Sequence, residues 1–458
     1  MKRFQAWHPE QPYLLPPDPR EWLPEDHPAF LVHDLVARLD LSEIVDAYGD
    51  GRTGGMPPFD PRMMTRVWLY AYMHGLRSSR KLARALLEDV ALRFLSANQQ
   101  PKYWALNAFR TRHRLALANL FVQSIELAAR AGLVPLEHVA IDGTKLKANA
   151  SKSKAMSYAR LTSEQQRLRQ EIEAYLDACD DSDAAEDDAF GDDDGMSAPA
   201  HLRDRAARLE AIERAKEQLE REAKERAERE QSERREAALA RGKRFWPRLD
   251  PQAALPRARE QRNFTDPESR IMRHQGAFVQ AYNAQAAVDS QHQIIVACDL
   301  SNQAPDARHL PALLAHVRTH TGRNPKQVSA DAGYFSRANL DAITAAGAEA
   351  FIAPERVPHD LWRSTTPAEP LPPDATPKQR MQHTLRTPRG KAAYLKRQTT
   401  VEPVFGQIKS ARGMQQVLHR GLEKVRAFWA LECAAHNFLK ILRHAAATRT
   451  TQPSPTSA

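Results

Sequence analysis

Two aspartates and a glutamate are the residues on which chemistry could be built. Asp142 closes the run Val139-Ala140-Ile141-Asp142-Gly143-Thr144-Lys145, and Asp331 closes Val328-Ser329-Ala330-Asp331-Ala332-Gly333-Tyr334. Glu402 lies in Thr399-Thr400-Val401-Glu402-Pro403-Val404-Phe405-Gly406-Gln407-Ile408-Lys409. In the first two, a short apolar run delivers one carboxylate and a glycine follows, as in a buried strand ending in an acid. Either Asp alone more often starts a turn, and Glu402 alone more often complements a helix dipole. Taken together, hard oxygen donors on separate elements suit Mg²⁺, with Mn²⁺ as a substitute. Two such ions roughly 3.5–4 Å apart would activate a water or 3′-hydroxyl and stabilise the leaving oxygen of a phosphodiester. Asp142 would bridge both ions, Asp331 would ligate one and Glu402 the other.

The elements that must position these acids can be read along the chain. Residues 1–25 are rich in Pro and aromatics without periodicity and read as an extended arm. Residues 26–132 turn helical. A short helix at Ser42-Glu43-Ile44-Val45 follows the first, and Pro61 suits the first turn of another. Ser79 is the candidate N-cap of the helix carrying Arg80 and Lys81, and one long helix is expected over 107–131. The two helices joined at His74-Gly75-Leu76-Arg77 are compatible with a DNA-binding helix-turn-helix using Arg77, Arg80 and Lys81. A bundle with a solvated basic face fits equally well. Arg110, Arg112, His113 and Arg114 add a second basic cluster.

After Asp142 the Gly-Thr pair is expected to turn the chain into a helical insert over 161–246. One helix ends near Leu176, an acidic linker follows, and a charged helix carries Leu202, Leu209, Ile212 and Leu219, which suggests a short coiled-coil seam. Strand patterns return over 277–289 and 294–298, then a helix, the Asp331 strand, a helix and a strand over 350–354. Residues 355–390 read as a loop. Thr400 as N-cap and Pro403 in the first turn place Glu402 at a helix start. Lys409, seven residues on, then lies on the same face, where it could hold phosphate. A helix over 425–442 closes the fold, and 446–458 reads as a disordered tail. Three strands, then helix, strand, helix, strand, helix is the element order of a ribonuclease-H-like α/β domain. It would have a mixed sheet with flanking helices, built from 133–160 and 247–445, beside an all-α N-terminal domain.

Composition narrows the partners. The 458 residues carry 66 Lys and Arg against 57 Asp and Glu, a net charge of +9, and residues 177–194 contain none of the basic ones. Such a surplus favours a polyanion. Cys179, Cys298 and Cys433 are too widely spaced for a disulfide framework or metal cluster. No segment approaches the roughly 20 apolar residues of a membrane span. The expectation is a cytoplasmic, nucleoid-associated protein with no membrane partner.

The three acidic segments resemble the motifs of bacterial insertion-sequence DDE transposases. Phe59-Asp60-Pro61-Arg62 resembles the N-terminal domain of that group, and Asn302-Gln303-Ala304-Pro305-Asp306 and Tyr282-Asn283-Ala284-Gln285 its inter-motif region. The resemblance implies a metal-dependent polynucleotidyl transferase with Asp142, Asp331 and Glu402 as catalytic, metal-binding acids. It also implies that Tyr394, Arg397 and Lys409 contact DNA, both terminal repeats and target, and that the protein works as a homodimer or larger assembly. Four residues separate Arg397 from Glu402, where the family pattern has three. Asp306 could support the metal site, while Asp289 and Asp299 read as strand-end or turn acids, His436 and Asn437 as residues of an apolar helix, and Trp362 as a loop anchor. A nuclease without strand transfer, and an inactive transposase-derived DNA-binding protein, are the alternative functions.

Overall fold

The computed structural model describes residues 18–49, 57–187, 200–247, 250–355 and 371–451. Of the expected arm over 1–25 and tail over 446–458, the residues before 18 and beyond 451 lie outside them, as does Trp362. Within them Pro19–Trp22 form a 3-10 turn capped by Asp18 and the last helix runs on to Thr451, so neither stretch is irregular throughout. The chain forms two compact units: Met1–Leu146 with Asn283–Leu418 and Glu423–Ala458, and Lys147–Tyr282 with His419–Leu422.

Among the described residues the first unit begins with a 3-10 turn (Pro19–Trp22) and then α1 (Pro28–Ala37), α2 (Ser42–Asp46), α3 (Pro61–Met73), α4 (Ser79–Glu88), α5 (Val90–Leu95), α6 (Tyr103–Arg112) and α7 (Arg114–Arg130). Asp60 caps α3 by accepting from Arg62 N and Met63 N at 2.6 and 3.0 Å, and Pro61 sits where its missing N–H leaves nothing unpaired. All but three of its 13 residues are buried, so α3 is central to this region. Ser78, not Ser79, caps α4, accepting from Lys81 N at 3.4 Å. The single helix expected over 107–131 breaks at His113. That imidazole packs 5.3 Å from the Tyr48 ring and 4.9 Å from Phe109. Strand β1 (His138–Lys147) follows.

The second unit holds β2 (Ala155–Ser157), α8 (Tyr158–Asp187), α9 (Ala200–Leu239), β3 (Gln261–Asn263), β4 (Arg270–His274) and the start of β5 (Ala277–Asp289). β2 and β3 pair antiparallel, as do β4 and β5 from Arg270↔Ala281 to His274↔Ala277. The insert is therefore not purely helical. Its helices run antiparallel: Tyr158 bonds Glu220, Gln165 bonds Glu213, and Arg205 pairs with Glu171. Leu161 and Leu168 pack on Ile212 and Leu219, so heptad-spaced residues form a seam as their spacing suggests. Helix α8 extends to Asp187, through the first acidic residues assigned to a linker.

Back in the first unit come β6 (Ile295–Ser301), α10 (Leu310–Thr321), β7 (Gln327–Ala330), α11 (Arg337–Ala345), β8 (Glu349–Ile352), α12 (Pro377–Arg386), α13 (Pro388–Gly406) and α14 (Leu422–Thr451). The loop expected over 355–390 thus contains α12, opened by a capping box between Thr376 and Gln379. The mixed sheet of this unit runs β6-β5-β1-β7-β8. β6 is antiparallel to β5, while β7 is parallel to both β1 and β8. Its strands are buried on both faces, as sheets covered by helices are. Val139, Ile141, Val328, Ala330 and Ile352 join α10 and α11 residues in one core, and the alternate residue Phe351 joins Met381, Leu385 and Tyr394 in another.

Candidate functional site

The register of β1 against β7 brings the two aspartates together. Val139↔Val328, Ala140↔Ser329 and Ile141↔Ala330 are paired in parallel, and the next residues on the two chains are Asp142 and Asp331. Neighbouring strands lie about 4.8 Å apart, so the two side chains leave the sheet side by side. Asp331 leaves β7 as expected and accepts from Gly333 N at 2.9 Å.

Asp142 does not end its strand. β1 continues through Gly143 and Thr144 in extended form, so the expected Gly-Thr turn is absent. Gly143 is needed there for close approach: a Cβ would collide with Gln285 Nε2 and stand 2.8 Å from Asp306 Oδ1. Asp306 sits in that gap. Its Oδ1 accepts from Asn283 Nδ2 at 2.7 Å, Gln285 Nε2 at 2.8 Å and Lys145 Nζ at 3.0 Å. The Tyr334 hydroxyl donates to Gln285 Oε1, which completes a buried polar network beside the two aspartates. Burial pushes the Asp142 carboxyl up to about 7. Arg397 opposes that rise, and the charges of Asp331 and Asp306 add to it.

Glu402 reaches this place from α13. The helix starts at Pro388 with Thr387 as N-cap, so Glu402 is well inside it and the helix start expected at Thr400 is displaced. Pro403 is an interior residue, and its missing N–H frees the carbonyl of Thr399. That oxygen accepts instead from Gln293 Nε2 at 3.0 Å, which explains how the helix tolerates the proline. Beyond Gly406 the helix widens into a π-turn over Gln407–Ala411. There Lys409 Nζ donates to Thr144 Oγ1 at 2.9 Å and Lys145 O at 3.3 Å, tying α13 to β1. Arg397 joins the acids: Nη1 donates to Asp142 Oδ2 at 2.9 Å and Nη2 to Glu402 Oε1 at 3.4 Å.

Among the described residues no three His, Cys, Asp or Glu side chains are arranged to hold a metal ion. The donor chemistry nonetheless suits one. The acids offer hard oxygens of the kind divalent cations take, and beside the effect of burial the charges of Asp331 and Asp306 add to the rise of Asp142 in the sense such a cation would oppose. In the arrangement present, the Arg397 guanidinium holds the position between Asp142 and Glu402.

The residues expected to meet DNA divide in two. Arg80 and Lys81 are exposed on α4. Arg77 turns inward, its guanidinium donating to both oxygens of the fully buried Glu432 at 2.9 and 2.7 Å. The turn that carries it packs on the end of the Glu402 segment, where a Cβ on Gly75 would meet Arg412 O at 2.5 Å. The side chain of Tyr394 packs in the core with Phe351. In the second basic cluster, Arg110 and His113 are buried, Arg110 lying 4.1 Å over the Trp68 ring. Asp289 accepts from Leu136 N and Gln291 N as a strand-end acid, and Asp299 pairs with Arg426. Asn437 bonds both the N–H and the carbonyl of Ile295, and His436 bonds Gln293 O. Sequence reasoning assigned no role to Gln285, Asn283 or Tyr334. The signal was there, since two amides at i and i+2 inside an apolar strand must find partners when buried.

Residues 256–438 match the family model of the transposase DDE domain, and residues 17–112 match that of a transposase domain (DUF772). Asp331, Asp306, Arg397 and Glu402 fall within the first match and Asp142 precedes it. Among curated proteins and among solved structures nothing matches the chain. Members of the DDE transposase family generally use divalent metals. No helix among the described residues is long and apolar enough to cross a membrane. The two transposase matches, which together cover more than half of the chain, show that it belongs to the insertion-sequence DDE transposases.

Proposed function

We propose that the protein is a DNA transposase that cuts the ends of its insertion sequence and joins them to target DNA, with Asp142, Asp331 and Glu402 as the catalytic acids. The observation that carries this reading is the β1–β7 register, which ends at Ile141↔Ala330 immediately before Asp142 and Asp331, while Arg397 links Asp142 to Glu402. The strand order β6-β5-β1-β7-β8, with its antiparallel β6 and parallel β7 and β8, supports a ribonuclease-H-like catalytic domain.

Asp142, Asp331 and Glu402 would hold two Mg²⁺ ions, which when bound would activate the attacking water or 3′-hydroxyl and stabilise the leaving oxygen. The chain's own residues do the rest. The amides of Asn283 and Gln285, with Lys145, fix Asp306 behind the aspartates. Lys409 holds the Glu402 helix against β1 and presents positive charge at the site's edge. Arg397 balances charge between Asp142 and Glu402 and, with Tyr394, borders the place where the terminal nucleotides would lie. Arg80 and Lys81 supply phosphate contacts outside it. Pairing two element ends calls for a homodimer or larger assembly.

The test is Asp142→Asn, assayed on the element's terminal DNA with Mg²⁺. Cleavage and joining should both be lost. Full activity in the variant would sink the assignment, and a wild type that cuts but never joins would make the protein a nuclease.

A further inference from the structure

A groove of about 650 Å³ lies between the start of α4 and the outer face of α6, and none of its lining residues is acidic. Helix α6 buries Leu106, Phe109 and Arg110 on one side. Its opposite side presents Tyr103, Trp104, Asn107 and Thr111 at helical spacing. Trp104 is 62% exposed and Tyr103 48%, an unusual amount of aromatic surface to leave in water. Arg80 stands over the Tyr103 ring, 5.2 Å from its centroid, and Arg112, whose guanidinium donates to Ala47 O at 2.6 Å, lines the other end.

Flat aromatic surface flanked by guanidinium groups, amide and hydroxyl donors, with no carboxylate, matches a nucleic acid strand. The rings take the face of a base and the cations take the phosphates. Tyr, Trp and Arg also serve protein interfaces, but a lining that holds cations at both ends and no carboxylate favours a polyanion. We propose that this α4–α6 groove binds a DNA strand through one unstacked base on Trp104 and the adjoining phosphates on Arg80 and Arg112. The proposal rests on the reading that the protein acts on DNA, and adds a second contact region outside the acidic site.

The experiment is a binding titration of the full chain with dye-labelled oligothymidylate. Trp104→Ala should weaken binding about tenfold, and Trp104→Phe should recover most of it, because stacking survives on a smaller ring. Arg80→Ala should weaken binding and reduce the slope of log affinity against log salt by about 0.7. The melting midpoint should not move for Trp104→Ala, since most of that side chain is exposed. Unchanged affinity in Trp104→Ala would overturn the proposal. So would a changed sedimentation mass with unchanged DNA affinity, which would make the groove a contact between protein chains. Cleavage of terminal DNA by the wild type, measured separately, distinguishes the failures. If the wild type cleaves while Trp104→Ala binds normally, the groove alone falls. If the wild type neither binds nor cleaves DNA, the proposed function falls with it.

Discussion

Arg397 stands between a strand acid and a helix acid, bonding Asp142 at 2.9 Å and Glu402 at 3.4 Å. The lengths reflect helical geometry. At about 100° per residue, an Arg four positions before Glu402 would share its face, whereas one five positions before it is turned away by about 140°. The extra residue between Arg397 and Glu402 thus aims the guanidinium at β1, and only its far nitrogen reaches Glu402.

Removing that guanidinium should make stability more sensitive to pH. The folded pKa of Asp142, already raised to about 7, would rise further, while its unfolded value stays near the usual carboxylate range. A raised folded pKa means that the native state holds the extra proton, so stability is lost as pH rises through it. Arg397→Ala should cost more at pH 8 than at pH 6, because the variant's native state must hold a proton on Asp142 that the wild type can release above about pH 7, at about 1.4 kcal/mol per pH unit. Urea unfolding at the two pH values measures this. Equal losses would show that Arg397 is not what balances Asp142.

Two glycines should respond in opposite ways to alanine. At Gly143 the new methyl meets Gln285 and Asp306 inside contact distance. Gly143→Ala should therefore lose about 1–3 kcal/mol from overpacking, and strand cleavage should fall at least as far as that shift disturbs Asp142. Gly406 has nothing within 4 Å of a Cβ and lies in α13. Gly406→Ala should gain about 0.5–1 kcal/mol from helix propensity. Thermal melts of both variants test the pair.

Glu432 is a single buried carboxylate that pairs with Arg77 at 2.7 Å and Arg412 at 3.3 Å. Glu432→Gln leaves two guanidinium groups buried against a neutral amide, and should cost about 3–5 kcal/mol. Glu88→Gln, in the exposed i,i+4 pair with Arg84, should leave the melting midpoint where it was. Similar shifts from the two variants would refute a structural role for Arg77.

Acid should destabilise the protein through its buried histidines. Burial pushes His138 down to about 4 and His436 down to about 3. Their unfolded values are near 6.5, so below that pH the unfolded chain binds protons that the native one refuses. A depressed folded pKa gives stability that is lost as pH falls, by about 1.4 kcal/mol per pH unit for each such histidine between about pH 6 and 4. Replacing both with Gln should flatten the stability profile in that window, provided each variant still melts cooperatively.

Local pattern was enough to find the three acid-bearing segments, the apolar strands behind Asp142 and Asp331, Pro61 in a first turn and the heptad seam of the insert. Each depends on residues within a few positions of one another, where backbone preference and side-chain period act directly. What sequence left open were relations between distant segments. The register that aligns Asp142 with Asp331 is set by pairing across 189 residues, from Ile141↔Ala330. The continuation of β1 past Gly143 depends on Asp306 and Gln285 filling the space a Cβ would take. Pro403 lies inside a helix because Gln293, far away in sequence, bonds the carbonyl it frees. Arg77 looked like a free cation, and only the fold supplied Glu432 to bury it. Sequence by itself determined which residues could do chemistry. Tertiary structure decided which of them meet, because long-range packing and buried hydrogen bonds outweigh local preferences at these positions.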